Sequence, residues 1–236
     1  MNVRNIAIVS GGSSGLGLEI ARCLVKQAIT TCVVGRATKK LEDAISLLSS
    51  SETSTQVLSF RANVGNEEEV KALFDHLTNQ RFVIDKIFNV AGVGRFGDAD
   101  KITGNMINTV FEANLIGLML VSSYGLRAMK EAGGVIVNIM STAALVGREK
   151  ETVYCAAKWG ARGFTEAIKV ATKGTPVHVI AVYPGGMNTP FWSTECGLSP
   201  DKSKFMHPHD VASKIVEMAI KVDSSLVTDV TINRRG

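Results

Sequence analysis

Apolar residues in this chain fall into two alternating rhythms. Short unbroken runs rich in Ile and Val recur along its whole length: NIAIVS (5–10), TCVVG (31–35), QVLSFRANV (56–64), IDKIFNVAG (84–92), GGVIVNIMST (133–142), VHVIAVYPGG (177–186) and LVTDVTIN (226–233). Bounded by Gly, Pro and Asn, they predict strands. Between them the apolar positions spread to a spacing of three and four, which predicts helices. These cover 17–27, with Ile20 and Leu24 on one face, then 40–50, 67–79, about 103–131, about 153–172 and 207–221. Acidic residues fill the first turn of the helix at 67, and Pro208 and Asp210 mark the start of the last one, as the helix dipole and the missing proline N–H favour.

Seven strands alternating with helices predict an α/β chain. Its architecture is a doubly wound three-layer sandwich around a seven-stranded parallel sheet. Continuous Ile/Val runs suit strands covered on both faces. The segment LLSSSETSTQ (47–56) reads as a polar loop tip. With no linker, repeat or low-complexity stretch, residues 1–236 are expected to form a single domain. Ligands of such sheets bind beyond the carboxyl ends of the strands, so chemistry is to be sought there.

The first strand runs into SGGSSGLG (10–17), a Gly-x-x-x-Gly-x-Gly loop that opens a helix. Gly11, Gly15 and Gly17, with Ser13, Ser14 and Leu16 between them, suit a tight turn that lets a pyrophosphate approach backbone N–H groups. At the end of the second strand, where an acid would bond a ribose 2′-hydroxyl, stand Gly35 and Arg36, with Lys39 and Lys40 nearby. A guanidinium grips a 2′-phosphate that an acid would repel. NADP(H) is therefore the expected cofactor, with NAD(H) possible.

Further along, TVYCAAKWG (152–160) places Tyr154 four residues before Lys158, on one face of a helix. With both pieces in view, the whole chain resembles the short-chain dehydrogenase/reductase family, of the NADP(H)-preferring type with a Tyr-x-x-x-Lys active site. The glycine loop matches with Ser10 in place of threonine. The motif after the fourth strand appears as NVAG, departing at Val90 and matching at Asn89, Ala91 and Gly92, which the resemblance implies bind the cofactor. Asn63 stands where an acid usually lies near the adenine, followed by Val64; its carbonyl can still accept from the adenine amino group. Pro184, Gly185 and Thr189 match the motif after the sixth strand, with Met187 where a branched aliphatic is usual.

The resemblance implies a Rossmann-type fold and a catalytic set of Asn114, Ser141, Tyr154 and Lys158. Tyr154 would be the general acid/base for hydride transfer between nicotinamide and a small carbonyl or secondary alcohol. A phenol titrates near ~10, and a neighbouring ammonium is expected to lower that value. Lys158 would also bond the nicotinamide ribose, Ser141 would orient the substrate oxygen, and Asn114 would hold a water behind the lysine. The rival reading is a catalytically silent NADP(H)-binding redox sensor on the same fold.

Composition refines this picture only slightly. A net charge of +4, spread along the chain, gives no nucleic-acid surface. Cys23, Cys32, Cys155 and Cys196 show no CxxC spacing, and the four histidines form no ligand set, so no metal is expected. His207 and His209 are expected to cap the last helix. The first apolar run is a strand's length, and no other apolar run is expected to reach the length that spans a bilayer, so a cytoplasmic protein is expected. Residues 190–206 correspond to a substrate lid, where Phe191, Trp192 and Phe205 would either close over an apolar carbonyl compound or pack the lid down. Arg95 and Arg148 are candidates to face an acidic substrate. A homodimer is expected on the long helices around Asn114 and Tyr154, with a tetramer possible.

Overall fold

A computed structural model describes residues 4–49, 54–221 and 225–235. The tip of the polar loop, at 50–53, lies outside the described residues. The strands are β1 (Arg4–Ser10), β2 (Thr31–Gly35), β3 (Val57–Arg61), β4 (Phe82–Asn89), β5 (Gly134–Ile139), β6 (Val177–Pro184) and β7 (Asp229–Ile232). They form one seven-stranded sheet in the order β3-β2-β1-β4-β5-β6-β7, and every neighbouring pair is parallel. The helices are α1 (Gly15–Lys26), α2 (Thr38–Ser49), α3 (Glu67–Asn79), α4 (Gly104–Phe111), α5 (Gly117–Ala128), α6 (Thr152–Ala171) and α7 (Pro208–Ile220).

Two apolar layers sandwich the sheet. On one face Ile20, Leu24, Leu41, Ile215 and Val216 of α1, α2 and α7 pack against Val9, Val33 and Val182. On the other, Leu73, Leu77, Val121 and Ile168 of α3, α5 and α6 cover Ile8, Val34, Ile87 and Val179. Alternate residues of one strand thus enter opposite layers, the period-two geometry of a sheet buried on both faces. The strand order reverses between β1 and β4, so the connections leaving their carboxyl ends diverge and open a crevice.

The long helix expected over 103–131 is not one regular element. Glu112–Ile116 form a π turn between α4 and α5. The extra residue in that turn lets Asn114 point inward, where it is 1 % exposed. π turns of this kind tend to mark functional positions. The rod Gly104–Ala128 also has the length and mean hydropathy of a membrane span, 25 residues at 1.3, against the expectation that no stretch reaches span length. Only a third of its most apolar window is buried. Val110, Leu118 and Val121 face the protein, while Ile107, Ile116 and Met119 are exposed.

Candidate active site

The glycine loop joins the end of β1 to α1. Gly11 has φ +68, and a Cβ there would stand 2.7 Å from Cα of Ala91. Only glycine serves at this left-handed position, and its bareness lets the β1 and β4 ends meet. The Ser10 hydroxyl ties the same two ends, accepting from the N–H groups of Val90 (3.1 Å) and Ala91 (3.3 Å). Val90 contributes its backbone there, which is why its departure from the motif leaves the junction intact.

Several observations fit a dinucleotide at this edge. The first turn of α1 carries no acid, and the side chain of its N-cap, Ser14, makes no capping bond. The positive end of the helix dipole is thus open to an anion. Thr189, from the loop after β6, packs against Gly15 on the far side of this loop. The Ser13 hydroxyl lies beside Gly35, 3.1 Å from where a Cβ would be. Arg36 follows immediately, exposed. No carboxylate among the described residues pairs with it, whereas Lys39 is paired with Asp43 at 2.9 Å. Arg36 and the two serines therefore suit the 2′-phosphate and pyrophosphate groups.

Across the crevice, the four residues of the expected catalytic set come together. Ser141 follows β5 and starts the 3-10 turn Thr142–Ala144, accepting from Ala143 N–H at 3.1 Å. Tyr154 and Lys158 come from the first turns of α6, and both are buried, at 7 % and 3 % exposed. The Ser141 hydroxyl lies close enough to the Tyr154 hydroxyl to favour its charged form. The Lys158 ammonium donates to the Ile139 carbonyl at 3.2 Å and lies 5.6 Å from the centre of the Tyr154 ring.

Asn114 enters from the π turn. Its Nδ2 donates to the carbonyls of Val93 (2.8 Å) and Val110 (2.9 Å). Its Oδ1 is buried and accepts from no donor among the described residues. That oxygen faces Gly92, where a Cβ would come 2.6 Å from it and 3.8 Å from Lys158 Nζ. A small space is thus left between a free acceptor and an ammonium, the right chemistry for a bridging water or hydroxyl.

The expected effect of Lys158 on the phenol requires correction. Burial pushes the Tyr154 hydroxyl well above its ordinary value. Ser141 and Arg148 act against that rise, while Glu151 and Cys155 add to it. Burial also lowers Lys158 to about 8. Both charged forms have been taken out of water, which is the largest cause of each shift, and the Lys158 ammonium is not among the groups that lower the phenol. At neutral pH the lysine still keeps its proton.

Phe96 was not anticipated. It meets the Tyr154 ring edge-on at 5.5 Å, and Phe191 flanks that ring at 5.6 Å. Trp192 stacks behind both and reaches Phe205. The lid is held down on the loop after β4 by Phe96 N–H, which donates to the Cys196 carbonyl at 2.7 Å, and by the Arg95–Glu195 ion pair at 2.9 Å. The lid aromatics pack the lid down, the second of the two alternatives, and Phe191 in doing so walls the phenol. Arg95 is thereby committed to Glu195, and Arg148 donates to the Thr142 hydroxyl at 2.6 Å. After β6, Met187 pairs with Met206 in a short parallel bridge, which closes the lid's base. Pro184 ends β6, and Gly185 donates to the Ile232 carbonyl at 2.9 Å.

Three expectations meet other outcomes. Asn63 is turned toward its own chain: its Oδ1 accepts from Gly65 N–H at 3.2 Å and its Nδ2 donates to Glu112. His207 makes no side-chain cap on α7, and His209 contacts Glu19 at 3.1 Å. Asn89 faces inward rather than into the crevice. Its Nδ2 donates to Ser122 (3.0 Å) and Asn138 (2.9 Å), and Asn138 Nδ2 donates on to Thr165 (3.0 Å). This buried chain joins β4, α5, β5 and α6 and so fixes the Tyr154 helix relative to the NVAG loop.

The short chain dehydrogenase family model matches residues 5–196. The chain belongs to that family. Among curated relatives, a putative ketoacyl reductase of Streptomyces coelicolor is 33 % identical over 188 residues, 78 % of this chain and 71 % of that protein. A short-chain dehydrogenase/reductase structure from Vibrio parahaemolyticus superposes with a TM-score of 0.84 at 31 % identity, covering 97 % of this chain and all of that one. A variant actinorhodin polyketide ketoreductase solved with NADPH gives 0.86 at 27 % identity, over 98 % and 95 % of the two chains. Family membership accounts for the sheet order and for the crevice between β1 and β4.

Proposed function

We propose that this protein is an NADP(H)-dependent reductase of small apolar carbonyl compounds, running in reverse on the matching secondary alcohols. The observation that carries this reading is the convergence of Ser141, Tyr154 and Lys158 across the crevice from the glycine loop, with Asn114 behind them against Gly92. The nicotinamide, when bound, supplies or accepts the hydride. The NADPH bound to the polyketide ketoreductase supports the same cofactor here, as does an unpaired Arg36 at the end of β2.

The chain's own groups account for the proton. Ser141 donates to the carbonyl oxygen and holds it near the phenol, stabilising the charge that develops there. Tyr154 gives that oxygen its proton. Its raised pKa keeps it protonated at neutral pH, the form that reduction requires. Lys158 replaces the missing proton through the ribose hydroxyls it would bond, and Asn114 Oδ1 holds the water that connects the ammonium to solvent. Phe96, Phe191 and Trp192 exclude water from the phenol and favour flat or apolar substrates.

Two further parts of the reading concern the protein's setting. The exposed Ile107, Ile116 and Met119, with Trp159 on α6, suit burial against a second copy, as a homodimer. All four cysteines are free and buried, which suits a reducing, cytoplasmic location. The reading is tested by following NADPH oxidation with a panel of aryl ketones, aliphatic diketones and carboxylate-bearing ketones. Turnover should be highest on the apolar members. Tight NADPH binding with no turnover on any of them would instead favour the redox-sensor alternative.

A further inference from the structure

Adenine recognition is the one step for which the sequence offers no obvious acid. Arg36 fixes where a 2′-phosphate would sit, at the end of β2. Gly35 is in register with Arg61 of β3, and Ala62 N–H donates to the Gly35 carbonyl at 3.0 Å. The two strand ends are adjacent, so a purine on the ribose held at Arg36 reaches the turn after β3, at Asn63–Gly65.

At that turn the asparagine is already engaged on three sides. Its N–H donates to Glu69 at 2.9 Å, its Oδ1 accepts from Gly65 at 3.2 Å, and its Nδ2 donates to Glu112 Oε1. Glu112 reaches over from the start of the π turn. Gly65 gives it passage, since a Cβ on Gly65 would overlap Glu112 Cγ. The carboxylate is half-buried and bonded through one oxygen only. Its other oxygen has no donor among the described residues. That oxygen keeps contact with solvent and so is open to a ligand, and a carboxylate accepts from an exocyclic amine such as that of adenine.

We infer that Glu112 recognises the adenine 6-amino group, with Asn63 as a positioning residue that holds the carboxylate in place. The inference rests on the proposed NADP(H) reading. It explains how an asparagine can occupy the usual acid position without loss of an acidic acceptor: the charge comes from the helix side of the crevice.

The test compares NADPH with its deamino analogue, which carries hypoxanthine, in equilibrium titrations followed by fluorescence. Wild type should bind NADPH about 10-fold or more tighter, because a 6-oxo group meets a carboxylate with no proton to share. In Glu112→Gln, whose amide can donate to the 6-oxo group, the preference should fall to near parity with the melting temperature held. Glu112→Ala should lose the preference as well, and Asn63→Ala should reduce it partway. Equal wild-type affinities for the two cofactors, or a preference retained in both Glu112 variants, would overturn the inference and leave the cofactor reading standing. Failure of wild type to bind either cofactor would overturn both.

Discussion

The two sides of the crevice offer a ligand different parts of the chain. On the β1–β2 side, the groups on offer are mostly backbone N–H groups at the open end of α1, supplemented by Ser13, Ser14 and Arg36 at the surface. On the β5–α6 side they are buried side chains: Ser141, Tyr154, Lys158 and Asn114. A backbone site is fixed by where glycine is required, and it stays hydrated until a ligand arrives. A side-chain site must be assembled in low dielectric, and its titrating groups bear the cost. The shift of Lys158 to about 8 and the upward shift of Tyr154 are that cost, whereas Arg36 stands exposed to solvent. Substitutions on the buried side should therefore change rate and stability together, whereas those on the open side should change affinity alone.

The largest test of this contrast is Lys158→Met. Turnover should fall by about 10³-fold, within the usual range for a proton-transfer group. Stability at pH 7 should nevertheless rise, by on the order of 3 kcal/mol before loss of the bond to Ile139, because burial lowers the amine from 10.5 to about 8. The folded value lies below the unfolded one, so unfolded chains hold the extra proton between the two. Wild-type stability from this group is lowest below pH 8 and recovers as pH rises toward 10.5. The margin of the variant over wild type, measured by urea unfolding, should therefore shrink between pH 7 and pH 10. A constant margin would mean that burial of the lysine is not what costs the fold.

Asn138→Leu comes next. It strips a partner from Asn89 and Thr165 in the core, and should destabilise by about 2 to 3 kcal/mol, read as a lower melting temperature. On the open side, Arg36→Ala should leave stability unchanged and reduce the ratio of NADPH to NADH affinity by about 10- to 100-fold, the worth of a charge-assisted bond. Retention of the ratio would place 2′-phosphate recognition elsewhere. The smallest effect is expected at the lid: Arg95→Ala breaks a pair whose Glu195 partner is 75 % exposed. It should cost under ~1 kcal/mol and change KM by about two-fold, since the Phe96–Cys196 backbone bond stays.

The same contrast explains what could be read from the sequence. Strand and helix periodicity gave all seven strands in order, and glycine spacing located the β1 loop, because both depend on local geometry. Tyr154 and Lys158 could be paired because one helix carries both. Groups whose position depends on tertiary detail were less visible. The π turn hid inside an apolar stretch that reads as continuous helix, so the inward aim of Asn114 had no signal of its own. Phe96 lies in a loop without periodicity, and its approach to Tyr154 depends on a lid a hundred residues later. Asn63 looked like a cofactor residue because its partner Glu112, 49 positions away, was unmarked. The direction of the Tyr154 shift is not legible in the sequence, because helical spacing shows a neighbouring charge but not the depth at which both groups are buried.

The most direct measurement of the central claim pairs two readouts on Tyr154→Phe: NADPH affinity by fluorescence titration, and NADPH oxidation on the best apolar ketone. Loss of the hydroxyl alone keeps the ring between Phe96 and Phe191, so the fold and cofactor site should survive. The account predicts an unchanged Kd and a fall in kcat of about 10³-fold or more. Turnover within about two-fold of wild type, with proton transfer contributing so little, would contradict it.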